Sequence, residues 1–290
     1  MRGGGGFMPT KTLVLAANAG AYCYPWASRG HLRVLPPPQG MQAAQHFDKV
    51  VLVNGMETRW LFDPALEGRD TYFFLWDPAR CPHYAPGPEL LERLKTRHKV
   101  YSFQRKDCED FGLRFNSTMY APPPEGMYPP ETPRCDLLFL GVPKDRLPLL
   151  RSLHGQTAGL GLRPWFQIGL TGLEGDVLPE EREGWRITRE WTPYPEYLRW
   201  VQRTRAILDV CQSIQTGCSL RVMEHLFFGK KLVTNNAVIA QAAFYHPNNI
   251  FLLQHDQIET LKDWLDLPFI PIEEEIKEYY KFENWAERFI

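Results

Sequence analysis

"AILDVCQSIQTGCSLRVMEHLFFGKKLVTNN", residues 206–236, decides how this chain is read. AILDVC (206–211) is a near-continuous apolar run of strand length, as expected of a parallel strand covered on both faces. A polar loop, 212–218, leads to Ser219, a residue type whose hydroxyl caps helix N-termini. Leu220, Met223 and Phe227 follow at i, i+3 and i+7, which predicts a helix with that stripe turned to the sheet. Gly229 stands where a left-handed C′ residue ends a helix, and KKLVTNN (230–236) starts the next strand. Strand, loop, helix and strand form one βαβ unit, which places the loop and the helix start at the carboxyl edge of a parallel sheet.

Arg221 and Glu224 lie in the first turn and a half of that helix, off the stripe. Two readings are open. On the surface they form an i,i+3 ion pair worth a few tenths of a kcal/mol. At the mouth of the sheet, the loop, Arg221 and the positive end of the helix dipole would receive an anion. A carboxylate one turn further in would accept hydrogen bonds from vicinal hydroxyls, as acidic residues do with ribose. That set suits a nucleotide diphosphate with its ribose.

Working outward, the same alternation recurs on both sides. KTLVLAAN (11–18), FDKVVLVNG (47–55), TYFFLWD (71–77) and HKVYSF (98–103) read as buried strands. GPELLERLKTRH (87–98) and RKDCEDFGL (105–113) read as helices, the first started by Pro88 and the second closed by Gly112. Residues 18–46 are short and broken by proline. YAPPPEGMYPPETPR (120–134) holds six prolines in fifteen residues, a density that neither a helix nor a central strand survives, so it reads as a boundary. Beyond it come strand CDLLFLG, helix KDRLPLLRSLH, strand PWFQIGL and helix PYPEYLRWVQRTR, then the opening unit, strand NIFLL and helix DQIETLKDWLD. One amphipathic helix or two, IEEEIKEYYKFENWAERFI, ends the chain. The fold class expected is α/β, with two Rossmann-like doubly wound parallel-sheet domains facing a cleft. Residues 1–10 read as a flexible lead-in, 11–130 as the first domain with an abbreviated start, 135–270 as the second, and 271–290 as a terminal helix.

Composition narrows the function classes. A formal net charge of -1 lacks the basic excess of a nonspecific nucleic-acid binder. The apolar runs fall far short of the roughly 20 residues a membrane span requires, and the N-terminus has no apolar h-region. The six cysteines show no C-x-x-C pair and no histidine at metal-ligand spacing, which points to free thiols in a reducing cytoplasm.

The opening segment, continued through NNAVIAQAAFYHPNNIFLL, resembles the C-terminal half of bacterial GT-B-fold glycosyltransferases of capsule, lipopolysaccharide and exopolysaccharide loci. Members read as strand, Q-x-G loop, R-x-x-E helix, G-K-K-L-I-T-x-N strand, then F-Y-x-P-x-N-I. FFLWDP, KVYSFQRKDCEDFGLRF and DLLFLG agree in order, so the resemblance spans about residues 47–290. It implies that Glu224 binds the donor's ribose and that Arg221, with Gln215, Thr216, Gly217 and Ser219, holds the diphosphate. Gly141 and Lys144, in FLGVPKDR, would approach the same phosphates, although Lys144 reads equally as a solvated loop residue. The last helix would cross back to the first domain, with Phe282, Trp285 and Phe289 as a packing stripe.

The implied activity is transfer of a sugar from a nucleotide-sugar donor to a glycan or lipid-linked glycan. It needs no cofactor, and no nucleic acid is involved. The location implied is cytoplasmic, with a lipid-linked acceptor drawing the protein to the inner membrane face. No D-x-D triplet occurs to hold a metal against a diphosphate, so helix dipole and basic side chains are expected to meet the leaving charge without metal. An inverting reaction also needs a general base. Asp77 and Glu57, each just past a strand of the first domain, are the candidates, with a turn before Pro78 and a helix cap as their structural readings. His83 is a lesser candidate, and His246 and the charged start Arg105–Lys106–Asp107 read as structural or exposed. The same architecture also serves nucleotide-sugar 2-epimerases and non-catalytic nucleotide-sugar-binding modules, and both readings stay open.

Overall fold

The computed structural model describes residues 11–81, 85–172 and 177–290. Contacts divide the chain into two units: residues up to Ser117 together with Lys281–Ile290, and Thr118–Tyr280. The proline-rich stretch expected to mark the boundary lies inside the second unit, and the return to the first falls at Tyr280/Lys281 rather than near residue 271.

The first unit runs β1 (Thr12–Leu15), β2 (Leu32–Leu35), α1 (Pro37–Ala43), β3 (Lys49–Val53), α2 (Thr58–Leu61), β4 (Asp70–Leu75), α3 (Pro88–Arg97), β5 (Lys99–Ser102), α4 (Arg105–Phe111) and β6 (Arg114–Phe115). All six strands pair in parallel, in the order β2-β1-β3-β4-β5-β6. The central strands are buried along their whole length, as their unbroken apolar runs predict. Between β1 and β2, where a full helix would be usual, only the 3₁₀ turn Tyr24–Trp26 forms, because Pro25 and the glycines around it leave no helical run. Gly112 ends α4 at φ +63°, the left-handed cap its sequence position predicted.

The second unit runs β7 (Cys135–Gly141), α5 (Leu147–Gly159), β8 (Pro164–Gly169), β9 (Glu180–Arg182), β10 (Trp185–Thr188), α6 (Tyr194–Gln202), β11 (Thr204–Asp209), α7 (Leu220–Phe228), β12 (Lys231–Thr234), β13 (Ile250–Leu252), α8 (Leu261–Asp266) and α9 (Glu274–Tyr280). Its sheet has the order β13-β12-β11-β7-β8-β10-β9, parallel except for the edge pair β10–β9. That edge escaped the sequence reading. Its strands are short, and β9 is made of Glu180, Glu181 and Arg182, residues that show no strand pattern. Phe139, Phe166, Ile168, Leu208, Val233 and Phe251 fill the core on one side of this sheet.

The chain then returns to the first unit as α10 (Phe282–Glu287). Phe282, Trp285 and Phe289 are fully buried there. Trp285 packs edge-on to Phe74 at 5.1 Å and to Phe289 at 4.7 Å between centroids. Lys49 donates from Nζ to the carbonyls of Ala286 and Glu287 at 3.3 and 3.4 Å. A cation at a helix C-terminus opposes its dipole, and burial holds the Lys49 ammonium below its usual pKa.

Candidate functional site

Four chain segments meet at the carboxyl edge of the second sheet: the ends of β7, β11 and β12, and the start of α7. Asp209, the last residue of β11 and 1% exposed, holds them together. Its Oδ1 accepts from Ser219 Oγ at 2.7 Å, and its Oδ2 accepts from Thr234 Oγ1 at 3.2 Å and Cys211 Sγ at 3.5 Å. Ser219 Oγ in turn accepts from Arg221 N at 3.1 Å, so the cap expected of Ser219 forms and is itself oriented by Asp209.

Arg221 does not reach into water. Its side chain is 15% exposed, with Nη1 3.9 Å from Asp209 Oδ1, Nη2 donating to the Leu140 carbonyl, and the guanidinium 4.7 Å above the Phe139 ring. Gly141, next to that carbonyl, is a close-approach position: a Cβ there would lie 2.3 Å from Arg221 Nη2. The structure thus brings together two residues 80 positions apart that the resemblance assigned to one phosphate site. Arg146 lies beside them, 5.7 Å from the same ring, and donates from Nη2 to the Val142 carbonyl at 2.6 Å and from Nη1 to that of Val210. Burial, then the neighbouring Arg221, lowers its pKa to about 10. Its donors tie the loop after β7 to the loop after β11.

Glu224 is 1% exposed, so the surface-pair reading does not hold. Its Oε1 accepts from Tyr194 Oη at 2.8 Å and its Oε2 from Tyr197 Oη, both phenols coming from α6. Burial raises its pKa to about 7 against these two hydrogen bonds and Arg221, which pull it down. The stripe read from the sequence is also corrected. Val222, Met223, Glu224, His225 and Leu226 are buried, while Leu220 and Phe227 are only half-buried. The helix is covered nearly all round, since Phe227 packs in a tilted contact on Tyr120 at 4.9 Å between centroids and α6 lies against it as well as the sheet.

The loop residues take backbone roles. Asn236 donates from Nδ2 to the carbonyls of Thr216 (3.1 Å) and Gly217 (3.5 Å), and Gln215 donates from Nε2 to that of Gly217 at 3.4 Å. Lys144 adopts φ +47° in the turn after β7, a conformation few side-chain-bearing residues take.

The two candidate bases sit at the carboxyl edge of the first sheet. Asp77 is half-buried and its Oδ2 accepts from Asn54 Nδ2 at 3.4 Å. Glu57 occupies the N-cap position of α2 without capping it. Its side chain, 66% exposed, pairs with Arg59 at 2.9 Å. Asp107 is no exposed helix start: buried, it accepts from Ala79 N at 2.9 Å and Ser102 Oγ at 2.8 Å, and so fixes the turn that carries Asp77. Arg105 and Lys106 do face outward, over the Phe115 ring and against Asp110. His246 accepts from Asn248 N in a turn, and His83 lies outside the described residues. All six cysteines are free thiols.

Sequence reasoning missed Asp209, Arg146, Asn236, Tyr194 and Tyr197. Asp209 left one signal, an acid closing an otherwise apolar strand at the edge where ligands bind. The tyrosines left none, because their role depends on α6 lying against α7.

No family model matches the chain, and no curated protein matches it. Solved structures do. AviGT4, a glycosyltransferase involved in avilamycin A biosynthesis, superposes with a TM-score of 0.58 at 13% identity, over 97% of this chain and 96% of that one. BGT of phage T4, solved with UDP and Mn²⁺, gives 0.52 at 11% identity over 96% and 97%. The N-terminal domain of a Candida albicans trehalose-6-phosphate phosphatase gives 0.51 at 10% identity over 100% and 97%. These likenesses define the class: the chain has the GT-B fold, two Rossmann-like parallel-sheet units with the C-terminal helix returned to the first.

Proposed function

We propose that this protein is a glycosyltransferase that moves a sugar from a nucleotide-sugar donor to a glycan or lipid-linked glycan in surface-polysaccharide synthesis. The observation that carries the reading is the edge of the second sheet, where Arg221 is stacked on Phe139 and aimed by Asp209 beside the Ser219-capped start of α7. A donor diphosphate there meets a guanidinium and the positive end of a nine-residue helix. Both oppose the negative charge that grows on the leaving phosphate as the glycosidic bond breaks. Neither group has to reorganise during the reaction, because packing already fixes it.

In this reading Gly141, Lys144 and the 215–219 loop border the phosphates, Glu224 takes the ribose hydroxyls, and Asp77 is favoured over Glu57 as base. Asp77 is held by Asn54 and a buttressed turn, whereas Glu57 is engaged by Arg59. No metal is assigned a role, and a lipid-linked acceptor would place the protein at the inner membrane face.

The test is a thermal-shift panel of nucleotide sugars followed by assay of nucleotide release with glycan acceptors in the presence of EDTA. One donor class at 100 times its dissociation constant raises stability by about 2.7 kcal/mol, and its nucleotide is released only with acceptor. Conversion of the donor alone would mark an epimerase. The closure of Glu224 by two tyrosines favours a second reading, a non-catalytic module, which binding without any release would support.

A further inference from the structure

Each oxygen of Glu224 already accepts a hydrogen bond before any ligand arrives. Tyr194 and Tyr197 lie one turn apart on α6, and each hydroxyl donates to a different carboxylate oxygen. The two phenols are not equivalent. Tyr197 is 8% exposed and sits in the body of the helix. Tyr194 is half-buried, is the first helical residue, is flanked by Pro193 and Pro195, and shares its hydroxyl with Tyr120 Oη at 3.0 Å. A vicinal diol offers a carboxylate two hydroxyl hydrogens, and these two tyrosines offer the same pair. Glu224 is only 1% exposed, so a diol reaches it by displacing a group that now covers it, and Tyr194 is the less buried of the two phenols.

We propose that Tyr194 is a place-holder on Glu224, donating to the oxygen that a donor's ribose hydroxyl takes and leaving it when the donor enters, while Tyr197 stays and orients the carboxylate. The inference rests on the donor-site reading above and adds to it the residues that set selectivity for ribose. Arg221, Asp209 and Tyr120 are the other charged or titratable groups facing this cluster. Breaking the Tyr194 bond opposes binding, and removing it beforehand should strengthen binding.

The experiment is calorimetry at pH 8.5, above the pKa of about 7 for Glu224, on the full chain. The ligands are whichever of ADP, GDP, CDP and UDP binds tightest and its 2′,3′-dideoxy counterpart. Tyr194→Phe is expected to bind the ribonucleotide roughly 3- to 10-fold tighter than wild type, the size of one net hydrogen bond. Tyr197→Phe is expected to bind it more weakly by a similar factor. The ratio of ribo- to dideoxyribonucleotide affinity should rise in the first and fall in the second, a readout that a purely structural role would leave unmoved. Because Tyr194 gives its one hydroxyl proton to Glu224, Tyr120 donates to Tyr194. Tyr120→Phe removes that support of the Tyr194–Glu224 bond and should tighten binding about 2-fold, which covers the case of a poorly folded Tyr194→Phe. If Glu224→Gln weakens binding but neither Tyr194→Phe nor Tyr120→Phe tightens it, the place-holder is overturned and the donor site stands. If Glu224→Gln changes nothing, or no diphosphate binds, the donor-site reading fails and this inference fails with it.

Discussion

At Gly141 an added methyl group would stand 2.3 Å from Arg221 Nη2, well inside van der Waals contact. Gly141→Ala must therefore push the guanidinium off Phe139 and off the Leu140 carbonyl. The expected result is a loss of nucleotide affinity of roughly 10-fold or more, on the scale of a lost charge-assisted contact, with the far-ultraviolet circular dichroism unchanged. Glu224 gives a second test at this scale. Its carboxyl has a folded pKa of about 7 against an ordinary 4.5, so between those values the native state holds a proton that the unfolded chain has released. Stability then falls as pH rises from about 4.5 to 7 and is level above, with a slope of up to about 1.4 kcal/mol per pH unit from this group. Denaturant titrations should show that slope in the wild type and lack its Glu224 share in Glu224→Gln. An identical slope in both would place the proton elsewhere.

Among the elements, α7 shows what could be read in advance and what could not. Its limits, its Ser219 cap and its Gly229 stop were legible because each depends on a residue's own preference within one turn. Its orientation was not. Periodicity assigns one apolar face, but α6 covers a second, and burial of Glu224 there is possible only because two tyrosines on α6 satisfy it. The cap, moreover, is anchored from the strand: Asp209 receives Ser219, Thr234 and Cys211 at once. Asp209→Asn removes the charge that balances Arg221 and loses at least one of those hydrogen bonds. It should lower stability by about 1–3 kcal/mol. Faster amide exchange in the first turn of α7 would locate the damage, and no change there would show the helix start to be held by other contacts.

Over the whole molecule, two alternations of strand and helix were enough to give two Rossmann-like units, because buried parallel strands show as apolar runs, while the GT-B reading rested on the resemblance of residues 206–253. The edges were harder. β2, β6, β9 and β10 are short or polar and derive their order from neighbours. The division at Ser117 rather than in the prolines follows from packing: Tyr120 is buried against Phe227 of the second unit. The final segment carries its own prediction. Trp285 is fully buried against Phe74, Phe282 and Phe289, so Trp285→Ala should cost about 3–5 kcal/mol. Urea denaturation followed by tryptophan-independent circular dichroism checks it, and a loss below about 1 kcal/mol would mean that α10 is dispensable to the first unit.

The central claim is that Arg221 and the start of α7 grip the diphosphate of a nucleotide-sugar donor. Titration calorimetry of wild type, Arg221→Lys and Arg221→Ala with a nucleoside diphosphate and the matching nucleoside tests it most directly. The account predicts that both variants lose at least about 10-fold in affinity for the diphosphate and bind the nucleoside as the wild type does. Equal affinity of all three proteins for the diphosphate would contradict it.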